Sequence, residues 1–158
     1  MTEAVPAYRI TKRKWAANAF DGEAAKRYPG RWNLRGHPLI YTAASRSLAM
    51  LEILVHYEEY ELLADHFVCI PLTIPPKCIL ELDEPLPDDW RTNPPPPSTR
   101  ALGTGWLESM TSLALRVPST VIAAEANYLI NPLHPDIHRL EIGDAELLNI
   151  DPRLLTQT

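Results

Sequence analysis

Two periods of hydrophobic and polar positions divide this chain. Leu48-Ala49-Met50-Leu51-Glu52-Ile53-Leu54-Val55 is apolar at every place but one. At roughly 100° per residue, such a run puts apolar groups on all sides of a helix. Ser45 suits its N-cap, because a serine hydroxyl can accept from a free backbone N–H of the first turn. Ahead of the cap, Leu39-Ile40-Tyr41 reads as a short strand entered from a turn at Arg35-Gly36. Further on, Phe67–Ile74 mixes β-branched and apolar residues as a largely buried strand does. Cys78–Leu82 reads as its hairpin partner about Pro75-Pro76.

Between Glu84 and Ser98 the chain is proline-rich, ending in Pro94-Pro95-Pro96-Pro97, which is expected to form a stiff surface connection. Ser98 or Thr99 then caps a predicted helix through Trp106, Leu107, Met110, Leu113 and Ala114 to about Arg116. Positions 106, 110, 113 and 117 share one face of it, and Pro118 ends it. Short strands are expected near Val121-Ile122, at Asn127–Ile130 and at Leu147–Ile150. Strands and helices do not alternate in the regular order of a parallel βαβ sheet. An α+β architecture with small, mostly antiparallel sheets is therefore predicted.

At 158 residues the chain fits one compact domain spanning 1–158, with a core over about 7–155. Its 46% hydrophobic content is that of a folded globular protein. No run approaches the ~20 apolar residues that cross a bilayer, and no secretory pattern opens the chain, so a cytoplasmic location with no membrane partner is expected. A formal charge of −5 argues against a general nucleic-acid binder. Cys69 and Cys78 are expected to be reduced and buried.

Glu52 is the anomaly in this picture. A lone carboxylate in an apolar helix is costly unless something compensates it. Either a cation pairs with it, or it lines a cavity where a ligand is handled. Upstream, Gly30-Arg31-Trp32-Asn33 and Tyr41 bring a guanidinium suited to phosphate and a phenol ring suited to stacking. Arg31, Tyr41 and Glu52 together suit a phosphate-bearing, nucleotide-sized molecule with a glycosidic bond. Neither GxGxxG nor a P-loop is present. Arg9, Lys12, Arg13 and Lys14 form a basic cluster whose bland reading is a solvated face. His134, Asp136 and His138 would share one face of a strand. Two prolines in this short stretch, Pro132 and Pro135, speak against a regular strand, and no metal site is expected. Ser119 lacks a nucleophile elbow. Asn127 and Asn131 suit backbone satisfaction at a strand end, while Trp32 and Trp106 suit packing.

Tyr8-Arg9, Gly30-Arg31-Trp32-Asn33, Ile40-Tyr41 and the Leu48–Glu52 helix resemble the RES domain. So do Val117-Pro118-Ser119 and Asn127-Tyr128-Leu129-Ile130-Asn131-Pro132 with His134 following. The resemblance runs from about Tyr8 to Leu155. It implies an ADP-ribosyltransferase-like fold and the toxin of a bacterial toxin–antitoxin pair, with an Xre-like antitoxin covering the cleft. A homodimer within that complex is left open. It also implies that NAD is the substrate rather than a cofactor, cleaved between nicotinamide and ribose. Glu52 would then stabilise positive charge developing on the ribose, with Arg31 and Tyr41 beside it. Arg9, Lys12, Ser119 and Asn127 are the NAD-binding candidates. The acceptor stays open among water, phosphate and a protein side chain, water being favoured because it needs no dedicated site. The rival readings are a non-catalytic partner-binding module, in which Glu52 and Arg31 close a structural ion pair, and a toxin nuclease.

Overall fold

Val5–Lys12 and Phe67–Ile74 carry apolar residues at both parities of the strand period, and they form the two longest strands, β1 and β3. Between them in sequence lies β2 (Ile40–Ala43). After them come β4 (Ile79–Glu81), β5 (Ala114–Pro118), β6 (Ala126–Ile130), β7 (Glu141–Ile142) and β8 (Glu146–Leu147). The computed structural model describes residues 3–56, 66–82 and 85–155; residues 83 and 84, near the start of the proline-rich stretch, lie outside these. The eight strands of the described residues join one sheet in the order β4-β5-β6-β2-β1-β3-β7, with β8 also on β3. Every pairing is antiparallel except β4 with β5. The α+β, mostly antiparallel expectation holds, but one continuous sheet replaces the small ones.

Alternation across the strands assigns the two faces. Ala7, Ile40, Leu72, Ile74, Ala114, Tyr128 and Ile130 pack together on one side. The other side carries the helices. Helix α1 (Glu23–Arg27) is short. Helix α2 (Arg46–Leu54) lays Leu48, Ala49 and Met50 on Ile10, Ala43, Phe67 and Cys69. Helix α3 (Pro97–Ser109) lays Trp106 and Leu107 on Leu115, Val117 and Leu129. Tyr41 packs with the α3 cluster and Ala43 with the α2 cluster, so β2 marks the seam between the helices.

The cap and helix read from the sequence are present: Ser45 Oγ accepts from the Leu48 amide at 3.1 Å. Four local expectations are corrected. The second long helix stops at Ser109, because Met110 turns into the left-handed region at φ 55°. Asn131 Nδ2 donates to the Leu107 carbonyl at 3.1 Å, and the His134 ring meets the Met110 carbonyl at 3.2 Å. Carbonyls at the helix end are thus satisfied without a further turn, and residues 114–118 are strand. Pro97 supplies the first turn of this helix, so the last proline of the run starts it, with no side-chain cap from Ser98 or Thr99.

Nor do β3 and β4 form a hairpin. β3 is fully paired with β1, from Val5↔Ile74 to Lys12↔Phe67. β4 is carried to the far edge, where Ile79–Glu81 runs parallel to Ala114–Arg116 through the α3 crossover. The Val121-Ile122 segment is a turn rather than a strand. Cys69 and Cys78 are free and buried, as expected. Among the described residues, no helix is long and apolar enough to cross a membrane.

Candidate active site

Glu52 sits one turn beyond Leu48 and Ala49 on the buried face of α2, which aims it along the seam. Asn127 stands opposite Ala43 on β2 and Val117 on β5, on the helix side of the sheet. Ser119 follows β5 directly and is fully buried. The three meet at one oxygen. Ser119 Oγ donates to Glu52 Oε1 at 2.7 Å, and Asn127 Nδ2 donates to the same atom at 2.9 Å. Ser119 Oγ itself accepts from the Val121 and Ile122 amides at 3.0 and 3.2 Å. Its lone pairs are occupied and its proton is committed, which suits a donor and not a nucleophile.

No described ion pair joins Glu52 to Arg31 or to any other cation. The carboxylate is half-buried and held by neutral donors. This removes the closed Arg31–Glu52 bridge from consideration. Arg31 Nη1 donates instead to the Trp90 and Thr92 carbonyls, at 3.0 and 2.6 Å. Burial pulls its guanidinium below the ordinary range. The Glu52 and Tyr41 side chains push it back up, and Arg100 lowers it again. Arg31 therefore senses Glu52 without touching it.

The loop carrying Arg31 is a knot of hydrogen bonds around Tyr41 and Asn33. The Tyr41 hydroxyl donates to Asn33 Oδ1 at 2.6 Å and accepts from the Trp32 amide at 3.0 Å. Asn33 Oδ1 also takes the Gly30 amide, while Nδ2 donates to the Ala25 and His37 carbonyls. A Cβ on Gly30 would stand 2.7 Å from the Tyr41 hydroxyl, so glycine is needed for this approach. Burial drives the Tyr41 phenol well above its ordinary ionisation range. It stays neutral and offers a ring, not a base.

Arg100, from α3, was not singled out in the sequence. Its Nε donates to the Gly30 carbonyl at 3.0 Å and its Nη2 to the Pro29 carbonyl at 3.4 Å. It straps the same loop from above. Only the tertiary fold brings residue 100 to residue 30, so no local signal could have found it.

Arg9 and Lys12 lie elsewhere. Tyr8 pairs with Ala43 on the helix side, so Arg9, the next residue, projects from the opposite face. Its Nε donates to the Ala19 carbonyl at 2.6 Å and its Nη1 to the Tyr41 carbonyl at 3.1 Å. Desolvation lowers its pKa to about 10, against a smaller opposing pull from Asp21. The Lys12 ammonium lies over the Trp15 ring, 4.7 Å from its centroid. The structure thus brings together Glu52, Ser119 and Asn127, with Arg31 and Tyr41 beside them, and leaves Arg9 and Lys12 outside.

His134 is a cap. Its Nδ1 accepts from the Asp136 amide, opening a 3-10 turn over Pro135–Arg139 in place of a strand. Trp32 and Trp106 are buried packing residues, as expected. A recess of about 160 Å³ beside the ends of β5 and β6 is lined by Leu82, Leu86, Arg116, Val117 and Glu125, among others. It does not include Glu52, Arg31 or Tyr41.

Against known proteins, the RES domain matches residues 6–151. The chain is 44% identical over 150 residues to Toxin Res of Yersinia enterocolitica, covering 93% of this chain and 97% of that protein. It is 32% identical over 147 residues to a Prs ADP-ribosylating toxin of Sphingobium sp., covering 90% and 91%. In fold it is similar to a chain of the M. tuberculosis MbcT–MbcA toxin–antitoxin complex, with a TM-score of 0.75 at 20% identity, covering 97% of this chain and 87% of that one. With a match across nearly its whole length and relatives above 40% identity, this chain belongs to the RES domain family.

Proposed function

We propose that this protein is the toxin of a toxin–antitoxin pair and that it consumes NAD by cleaving the nicotinamide–ribose bond. The observation that carries the chemistry is the state of Glu52: a half-buried carboxylate, fixed by two neutral donors and in ion-pair contact with no cation among the described residues. Nicotinamide leaves as a neutral base from a cationic ring, so no strong general acid is required. What the reaction needs is negative charge against the ribose as it becomes oxocarbenium-like, and Glu52 supplies it. The relatives named as toxins, one of them ADP-ribosylating, support the same class of activity. An ADP-ribosyltransferase-like arrangement of the cofactor-sized ligand in the seam is part of this reading.

In this assignment Glu52, Arg31 and Tyr41 are the catalytic set. Arg31 neutralises phosphate and the Tyr41 ring packs on the nicotinamide or ribose. Arg9 contributes by fixing the Tyr41 backbone rather than by touching ligand. Water is the acceptor we assign. The partner is an Xre-like antitoxin that covers the seam, in keeping with the toxin–antitoxin complex of similar fold. The test is to incubate the purified chain with NAD, with and without inorganic phosphate, and to resolve the products. Nicotinamide with ADP-ribose supports hydrolysis, and a phosphorylated ADP-ribose identifies phosphate as acceptor. Transfer to an added protein identifies a protein acceptor. Intact NAD in all three mixtures contradicts the proposal.

A further inference from the structure

Asn127 holds a position that makes poor sense as packing. Its Nδ2 donates to Glu52 Oε1, while its Oδ1 is buried with no donor reaching it from the described residues. An enclosed acceptor without a partner costs stability, and native chains keep few of them without a reason. At the strand position between Ala43 and Val117, a β-branched apolar residue would fill the space without that cost. Nor is the amide free to turn over. Rotating it would set its oxygen against the Glu52 carboxylate, so the charge on Glu52 dictates the orientation and leaves Oδ1 stranded.

Ser119 is constrained in the same sense. Two backbone amides fill its acceptor sites, so its hydroxyl proton points at Glu52 Oε1. Both donors thus converge on a single oxygen. Glu52 Oε2 receives no hydrogen bond from the described residues, and it is not an enclosed atom. The carboxylate is therefore asymmetric: one oxygen is saturated by the protein and the other is left open.

We propose that Asn127, with Ser119, is a positioning residue for Glu52, which pins Oε1 so that Oε2 alone faces the reacting ribose. This replaces the direct ligand contact expected for both residues, and it rests on the NAD-cleaving reading only for its kinetic consequence. Asn127 and Ser119 act through Glu52, so their loss shifts the carboxylate rather than removing a substrate contact. A misplacement of about 1 Å at a reacting centre costs about 10²-fold in rate.

The experiment compares wild type, Asn127→Leu, Ser119→Ala and Glu52→Gln, and each of the first two substitutions combined with Glu52→Gln. The steady-state readout is kcat against KM for NAD. Positioning predicts that kcat falls about 10²-fold with KM little changed, and that neither substitution lowers the residual rate further in the Glu52→Gln background. A raised KM with kcat preserved would show direct ligand contact and overturn the proposal. So would losses that add to that of Glu52→Gln.

A second readout does not depend on turnover. In amide-selective NMR of wild type, the Asn127 side-chain NH2 pair donates to a carboxylate, and it should move when Glu52→Gln removes the charge. An unmoved Asn127 NH2 signal overturns the clamp whatever the kinetics show. A moved signal in a protein that leaves NAD intact upholds the clamp and rejects the NAD reading. Should Asn127→Leu fail to fold, Ser119→Ala and the NMR comparison decide alone.

Discussion

The Tyr41 hydroxyl reaches Asn33 Oδ1 at 2.6 Å while taking the Trp32 amide at 3.0 Å, so one phenol ties β2 to the loop that presents Arg31. Tyr41→Phe keeps the ring and removes both bonds, leaving the Trp32 amide without its partner. The cost is about 1–3 kcal/mol of stability. Urea unfolding of the two proteins measures it. Equal midpoints would mean that the loop is held without this bond.

Two glycines of α3 give opposite predictions. A Cβ on Gly103 would overlap the Trp32 carbonyl, so Gly103→Ala forces the helix away from the Arg31 loop, costing about 1–3 kcal/mol. Gly105 is exposed and has open space around it. Gly105→Ala therefore gains helix propensity and stabilises by up to about 1 kcal/mol. Thermal melts of both variants should move in opposite directions from wild type.

Much of this was legible in the sequence, and the limits have physical causes. The lone carboxylate in α2, its serine cap, and the strands at 67–74 and 127–130 all announce themselves through local pattern. The end of α3 does not. Apolar residues at 106, 110, 113 and 117 continue the helical period through a segment that is in fact turn and strand. What stops the helix is Met110 in a left-handed conformation with Asn131 and His134 on its last carbonyls, contacts that come from 20 or more residues away. The same holds at the site. Ser119 and Asn127 were found as candidates, but their shared target oxygen depends on α2, β5 and β6 meeting at the seam. That Arg9 projects from the face away from the helices was not legible, because the sequence does not say which face of β1 looks toward them.

Burial raises the Tyr41 phenol above its ordinary value of 10.0. In the unfolded chain that phenol ionises near pH 10, whereas in the folded chain it stays protonated. The unfolded state then binds fewer protons, and stability falls as pH rises above about 10. The stability that Tyr41 contributes is fully present below that pH. Chemical denaturation between pH 8 and 11 should show a steeper alkaline loss in wild type than in Tyr41→Phe, which lacks the titrating group. Parallel curves would contradict the burial argument.

In the proposed reaction it is the charge of Glu52 that performs the cleavage. Glu52→Gln is the cleanest probe, because its remaining carbonyl oxygen can still take the Ser119 and Asn127 donors and keep the seam intact. The measurement is nicotinamide release from NAD by wild type and Glu52→Gln, matched for folded content by circular dichroism. Wild type should release nicotinamide and the variant should lose at least about 10³-fold of that rate, with its melting temperature within a few degrees. Comparable release by a folded Glu52→Gln protein would contradict this role.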